Sequence, residues 1–260
     1  MEYEFVKVEK RSHISIVTIN RPEVYNAVHP PLSLELDQVW NDFIEDRDQW
    51  VAVLTGAGDK AFSAGNDLKY SAQQGKYKVQ QPKSGFAGLT NRFDRTKPII
   101  AAVNGFAMGG GMETALSCDI ILASENAKFA LPEVKVGFFA AAGGVQRLSR
   151  QIGKKAALEM ILTGRSVDAA EALKLGIIND VFPQAELLDK AIQKAEVIAG
   201  NCPSSVKYSL EALNHMDQLE EMASALEKSY ELIDLLRKTE DHKEGVSAFV
   251  EKRTPQWKNK

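Results

Sequence analysis

The chain has 260 residues, 44% of them hydrophobic and 26% charged, which suits one compact globular domain with a real core, or one plus a helical appendage. Lys and Arg number 32 against 35 Asp and Glu, and the net charge of −3 excludes a global field that would draw nucleic acid or an anionic membrane, so any anion must be met locally. No apolar run approaches the roughly 18 residues needed to span a bilayer, and two cysteines, Cys118 and Cys202, cannot make a disulfide framework.

Those cysteines read as buried small hydrophobes in a reducing compartment, and a cytoplasmic location is expected. The first ten residues, MEYEFVKVEK, carry Glu2, Glu4 and Glu9 and no apolar core, unlike a signal or transit peptide. Residues 14–20 (ISIVTIN) and 51–56 (VAVLTG) read as strands, with helical spacing between them at 32–48. Gly56, Gly58 and Ala61 imitate a dinucleotide fingerprint, but a glycine turn and a polar stretch follow where the helix and second strand should be, so a tight turn is expected. Polar residues 69–85 read as a loop beside a site. Two more strands are expected at 98–105 and 118–124, separated by a glycine run and a short helix. Beyond Gly143 the pattern is helical, and Leu219, Met222, Leu226, Ile233 and Leu236 keep one face apolar. The whole is an α/β body followed by a mostly helical C-terminal third.

Residues 106–119, FAMGGGMETALSCD, pose the functional question. Glycine in a helix costs roughly 1 kcal/mol relative to alanine, so Gly109, Gly110 and Gly111 need a reason beyond an ordinary turn. A second small-residue turn occupies 61–69 (AFSAGNDLK), and a second carboxylate, Glu133, follows Pro132. Amides freed by glycine can point at one oxygen, and a helix N-terminus adds partial positive charge there, which together make an oxyanion hole. Glu113, just inside the helix, and Glu133 can face one cavity, hold a water and move protons, and mutual repulsion raises one pKa of such a pair. The four histidines show no ligand spacing, so no metal is expected.

At these residues the chain resembles the enoyl-CoA hydratase/isomerase, or crotonase, family. The likeness runs through residues 18–28 (TINRPEVYNAV), 60–69 (KAFSAGNDLK), 97–124, 129–148 and 248–258, nearly the whole length. It implies a crotonase-type spiral of ββα units over residues 1–200 carrying the active site, and a helical oligomerisation region over 201–260 that builds a trimer or a dimer of trimers. It implies that the amides of Asn66 and Gly110 bind a thioester oxygen, with Glu113 and Glu133 as the acid/base pair. Ala64, Asp67, Leu68, Lys69 and Gly109 would line the substrate, with Phe138 and Phe139 as acyl-pocket walls. Glu23, Val24 and Tyr25 would lie beside the CoA nucleotide, although the family often carries a lysine where this chain has Glu23. Phe249 and Lys252 would reach a neighbouring subunit's CoA. The implied reaction is reversible addition of water across a 2-enoyl-CoA double bond, as in fatty-acid β-oxidation, with no cofactor beyond the CoA of the substrate.

Within the family the chain is similar to the carnitinyl-CoA dehydratase (crotonobetainyl-CoA hydratase) branch at 85–90, at 63–69, at 129–137 and at the ending EKRTPQWK. It departs from that branch at Asn66, where the branch carries an aromatic residue, and at 138–142, where the branch has a proline-containing turn. A double-bond isomerase of the same family usually needs one acid, so both Glu113 and Glu133 favour hydration. The RNA-binding relatives of the family would want a lysine-rich helix face, whereas residues 34–48 are acidic, so no nucleic-acid partner is expected.

Overall fold

The structure, a computed structural model, describes residues 3–73, 82–216 and 231–260. Strands β1 (Val6–Arg11) and β2 (Ile14–Ile19) form an antiparallel hairpin, and α1 (Pro30–Glu45) leads to β3 (Val51–Gly56). A repeating unit follows. β3 is succeeded by β4 (Ala61–Ser63) and α2 (Leu68–Gln73), then β5 (Ile99–Val103) by β6 (Phe106–Met108) and α3 (Gly110–Leu116). The third round has β7 (Ile120–Ser124), β8 (Lys128–Ala130) and a 3-10 turn at Glu133–Val136 before α4 (Gly144–Gln151). The first strand of each round joins a six-stranded sheet and the second joins a four-stranded sheet, so the chain advances as a spiral of ββα units.

Helix α5 (Lys154–Thr163) then precedes β9 (Ser166–Asp168), which closes the small sheet antiparallel to β8. After α6 (Ala169–Leu175), β10 (Asp180–Phe182) joins the large sheet parallel to β7. Helices α7 (Leu187–Ala199) and α8 (Pro203–Met216), a helical stretch at 231–236 and a last helix, Glu240–Glu251, follow. No helix among the described residues is long and apolar enough to cross a membrane.

Both faces of the large sheet are buried, which is why its central strands read as unbroken apolar runs. Ala52 and Leu54 of β3 face the main core with Leu36, Val39 and Trp40 of α1, while Val51 and Val53 face Leu187, Ala191 and Ala195 of α7. The glycines at 56 and 58 belong to a turn into β4, with no helix opening at them. Leu68–Gln73 is helical rather than loop because Asp67 caps it, its Oδ1 accepting from the Tyr70 amide at 3.0 Å. Cys118 is buried and Cys202 half-buried. Of the C-terminal apolar stripe, Leu236 is buried and Ile233 partly exposed, while Leu219, Met222 and Leu226 lie outside the described residues.

One buried side chain fastens the first round of the spiral. Asn26, held at φ 56, donates to the carbonyls of Ala57 and Ala61 at 2.9 and 2.7 Å and accepts from the Arg21 amide at 3.0 Å. Replacing it with alanine leaves those buried groups unsatisfied and places a Cβ residue with no local compensation in the left-handed region. Urea denaturation of Asn26→Ala is expected to show a loss of about 2 kcal/mol or more.

Candidate active site

Strands β4, β6 and β8 run parallel, so their C-terminal ends open on one edge of the small sheet. The segments that leave those ends are Ala64–Asp67, Gly109–Gly110 and Leu131–Glu133. The first two meet through backbone alone. Gly65 has φ +84, and a Cβ there would lie 2.5 Å from the Met108 carbonyl and 2.8 Å from the Gly110 nitrogen. A Cβ at Gly111 would lie 2.1 Å from the Ser63 carbonyl, and Gly109 turns the chain into α3 at φ 54, ψ −124. All three separations are too short for real Cβ contacts, so the glycine run answers to close approach and not to the helix it opens.

The result is a pair of available donors. Among the described residues, neither the Asn66 amide nor the Gly110 amide donates to a protein acceptor, and both residues line one cavity of about 500 Å³. Asn66 is positioned by a parallel bridge to Val28 and by its neighbour Asp67, which pairs with Arg21 at 3.0 Å.

The two carboxylates line the same cavity. Glu113 sits in the first turn of α3 and is 4% exposed; its Oε1 accepts from the Gly144 amide at 2.9 Å. Burial pushes its pKa up to about 7, and the charge of Glu133 pushes the same way, against the Gly144 and Ala142 amides and the Arg147 guanidinium. Burial also raises the pKa of Glu133, whose Oε2 has no hydrogen-bond partner among the described residues. Glu133 follows Pro132 on its 3-10 turn, and Glu133 Oε1 lies 3.0 Å from where a Cβ on Gly109 would stand. The arrangement is therefore two acids with raised pKa values, one held by amides and one whose Oε2 has no hydrogen-bond partner among the described residues, beside two backbone donors without a protein acceptor among them.

Ala64, Asn66, Leu68, Gly109, Gly110, Glu113, Glu133, Phe138 and Phe139 all line the cavity. Asp67 is turned into its pair with Arg21, and Lys69 is exposed on α2. Glu23 and Val24 sit on the 3-10 turn Pro22–Val24, and Tyr25 adjoins the site edge, its carbonyl accepting from the Ala64 amide at 2.9 Å. Lys252 is exposed beyond the last helix, outside this cavity, and the Phe249 side chain lies outside the described residues. Sequence reasoning passed over the Ala142–Gly144 turn that holds Glu113; the small residues before the helical run at 144 were the available signal. It also passed over Phe86, whose ring packs on Gly110, and Lys135.

The family model for enoyl-CoA hydratase/isomerase matches residues 9–260. The chain belongs to that family. It is 42% identical over 259 residues to the mevalonyl-coenzyme A hydratase of Beauveria bassiana, covering 95% of this chain and 92% of that one. It is 39% identical over 265 residues to the carnitinyl-CoA dehydratase of Escherichia coli O157:H7, covering 99% of each. The crystal structure of an enoyl-CoA hydratase from Mycobacterium tuberculosis superposes with a TM-score of 0.92 at 36% identity, covering 98% of this chain and 99% of that one. As in that fold family, the spiral of ββα units comes first and the helical region last.

A raised carboxylate pKa fixes a sign for stability. Glu113 binds its proton more tightly folded than unfolded, so its penalty is absent below the ordinary pKa near 4.5 and full above about 7. Glu113→Gln removes the charge and keeps an acceptor for the Gly144 amide. Calorimetry is expected to show the variant's Tm gaining on wild type between pH 5 and pH 8.

Proposed function

We propose that this protein is an enoyl-CoA hydratase, a hydro-lyase that reversibly adds water across the 2,3 double bond of an enoyl-CoA thioester. The observation that carries this reading is the placement of Glu113 and Glu133 on one cavity with the unpaired Asn66 and Gly110 amides. As water oxygen bonds to C3, the π electrons move toward the thioester and negative charge develops on its oxygen. Two fixed amides at that oxygen stabilise the enolate-like transition state, and losing one such donor costs about 100- to 1000-fold. Glu113, held by Gly144, positions the water and takes its proton. Glu133, on the facing turn, delivers a proton to C2. The bonds balance: the C2–C3 π bond, one water O–H and the Glu133 O–H break, while C3–O, C2–H and a Glu113 O–H form; proton exchange with solvent resets the two carboxyl groups, and their roles are exchanged in the reverse direction. CoA belongs to the substrate, and no further cofactor takes part.

The hydratases and dehydratase among the relatives support hydration chemistry, and Phe138 and Phe139, 51% and 64% exposed, supply an apolar wall for the acyl chain. Carnitine-derived thioesters belong in the substrate panel because of the carnitinyl-CoA dehydratase likeness. Glu23–Tyr25 are assigned to the CoA nucleotide, Leu68 and Lys69 to the substrate lining, and Phe249 and Lys252 to a neighbour's CoA. Residues 201–260 act as the oligomerisation region of a homotrimer or a dimer of trimers in the cytoplasm, working in fatty-acid metabolism. Sedimentation at micromolar concentration is expected to show a trimer or hexamer; monomer alone excludes that assembly.

Turnover of crotonyl-, longer-chain and crotonobetainyl-CoA tests the reaction. Glu113→Gln and Glu133→Gln should each lower kcat by about 100-fold or more with much smaller effects on binding. Because both act on one water, the double variant should be little worse than the poorer single one. Activity within threefold of wild type in either single variant rules out the paired-acid mechanism; dependence on Glu133 alone moves the assignment to double-bond isomerisation. Since Glu113 must be ionised to take the proton, and its pKa is raised to about 7, kcat/KM for hydration is expected to fall below about pH 7.

A further inference from the structure

Glu113 rests on the Gly144 amide, at 2.9 Å, with the Ala142 amide beside it. The turn that supplies both follows residues 134–139, which are exposed throughout, so apart from the buried Ala140 the preceding chain does not fix it by burial. A single side chain reaches the turn from the first turn of α4. Arg147 donates from Nη2 to the Thr90 carbonyl at 2.6 Å and from Nη1 to the Ala142 carbonyl at 3.4 Å, and its amide donates to the Gly143 carbonyl at 2.8 Å. A Cβ at Gly143, whose φ is +101, would lie 2.1 Å from Arg147 Nη1, so the guanidinium is seated on bare backbone of the turn. The far end of this bridge is firm. Thr90 is buried and its Oγ1 accepts from the Phe86 amide at 2.9 Å, while Trp40 donates to the neighbouring Ala87 carbonyl at 3.1 Å.

Arg92 and Arg95, which line a neighbouring cavity with Arg147, are each paired with an aspartate, at 2.6 and 2.8 Å. Arg147 instead gives its side-chain hydrogen bonds to carbonyls on two separate turns, a task for a planar fork that a single ammonium does not match. We propose that Arg147 is a positioning residue for Glu113: by pinning the 142–144 turn to the Thr90 carbonyl, it sets the amides on which the acid rests. That the acid then serves hydration rests on the hydratase reading; the link from Arg147 to Glu113 does not. The charge of Arg147 acts in the same sense as the bonds. Charged groups face Glu113 from the 3-10 turn, as Glu133 and Lys135, and from α4, as Arg147 and Arg150, whereas β4, β6 and Phe86–Gly88, which also pack on α3, carry none. Of these, Glu133 raises the pKa of Glu113 and Arg147 lowers it. In return, burial, Arg95 and Arg150 lower the pKa of Arg147, and Glu113 and the Cys118 thiol raise it.

Two double-variant cycles test this, one of them without turnover. In the first, calorimetry measures the Tm gained at pH 8 on Glu113→Gln in the wild-type, Arg147→Gln and Arg147→Lys backgrounds. Removing the cation and loosening the amides both raise the pKa of Glu113 further, so its penalty at pH 8 grows and the gain should be larger in Arg147→Gln. With the charge kept, the gain in Arg147→Lys should lie nearer that of wild type. In the second cycle kcat and KM are measured for the enoyl-CoA that wild type turns over best. Arg147→Gln and Arg147→Lys should each lower kcat about 10- to 100-fold with KM within about threefold, as misplacing a reacting group does. Once Glu113→Gln is present, each should cost less than about threefold more. Three results overturn the proposal: kcat within about threefold of wild type in either Arg147 variant, an equal fold-loss with and without Glu113, or an equal Tm gain in all three backgrounds. The second and third mark Arg147 as a support of the fold at large. Should Arg147→Gln fail to fold, the kinetic cycle on Arg147→Lys decides. If wild type hydrates no thioester while the Tm gains differ as expected, the hydratase reading fails and the link between Arg147 and Glu113 stands.

Discussion

The contact between the turn at 64–66 and the start of α3 is the constraint on which the site depends. Two strand ends of the small sheet are brought so close that Gly65 and Gly111 have carbonyls and amides where side-chain carbons would go. That approach sets the Asn66 and Gly110 amides on one cavity and leaves both without a protein acceptor among the described residues. Buried amides without partners cost free energy. The surrounding bonds offset that cost: Asn26 ties the first turn to its own strand, Ser63 Oγ accepts from the Gly65 amide at 3.1 Å, and Trp40 of α1 donates to the Ala87 carbonyl at 3.1 Å beside Phe86. The core thus reaches the site through short, specific links, with Phe86 resting on Gly110 at the end of the chain of contacts.

The same packing explains the electrostatics of Glu113. A carboxylate buried this deeply is disfavoured as an anion, and the Gly144 and Ala142 amides recover only part of the lost hydration. A pKa near 7 is the outcome of that partial recovery. Fuller hydrogen bonding would keep Glu113 ionised but make it a poor proton acceptor, whereas no hydrogen bonding would leave it protonated and inert. Glu133 differs in kind: it is less buried, its Oε2 has no hydrogen-bond partner among the described residues, and it stands on a proline-led 3-10 turn. One acid is fixed and the other less constrained, which suits a division between holding water and exchanging a proton.

Much of this was legible in the residues. The long apolar strands 14–20 and 51–56 came out as β2 and β3 within a residue, because burial on both faces writes an unbroken apolar run. Glu113 stood out because it lies between a glycine run and an apolar helix, and Glu133 because it follows Pro132 as a second carboxylate; their pairing as acid and base came with the family resemblance. The small sheet was not legible: β4, β6, β8 and β9 have three residues each, too short for an alternation to show. Nor could spacing place Asp67, whose partner Arg21 lies on another turn of the spiral, or reveal that Arg147 would reach the Thr90 carbonyl. Local pattern reports which face is buried; it does not report which remote segment supplies the cover.

Phe138 and Phe139 complete the physical picture of the cavity. Both are more than half exposed, on a segment whose neighbours Val136 and Gly137 are exposed as well, so this wall contributes little to the stability of the folded chain. The opposite wall, built from α3 and the strand ends, is buried and tightly hydrogen-bonded. An apolar acyl chain laid between them removes surface of the exposed wall from water at about 25 cal/mol per Å² of apolar area, a gain available only when the cavity is filled. In the proposed reading the exposed wall supplies apolar surface for the acyl chain, while the Asn66 and Gly110 amides and Glu113 stand on the buried side. That separation lets the apolar side chains at 136, 138 and 139 vary without touching the proposed oxyanion amides or Glu113 on the buried side.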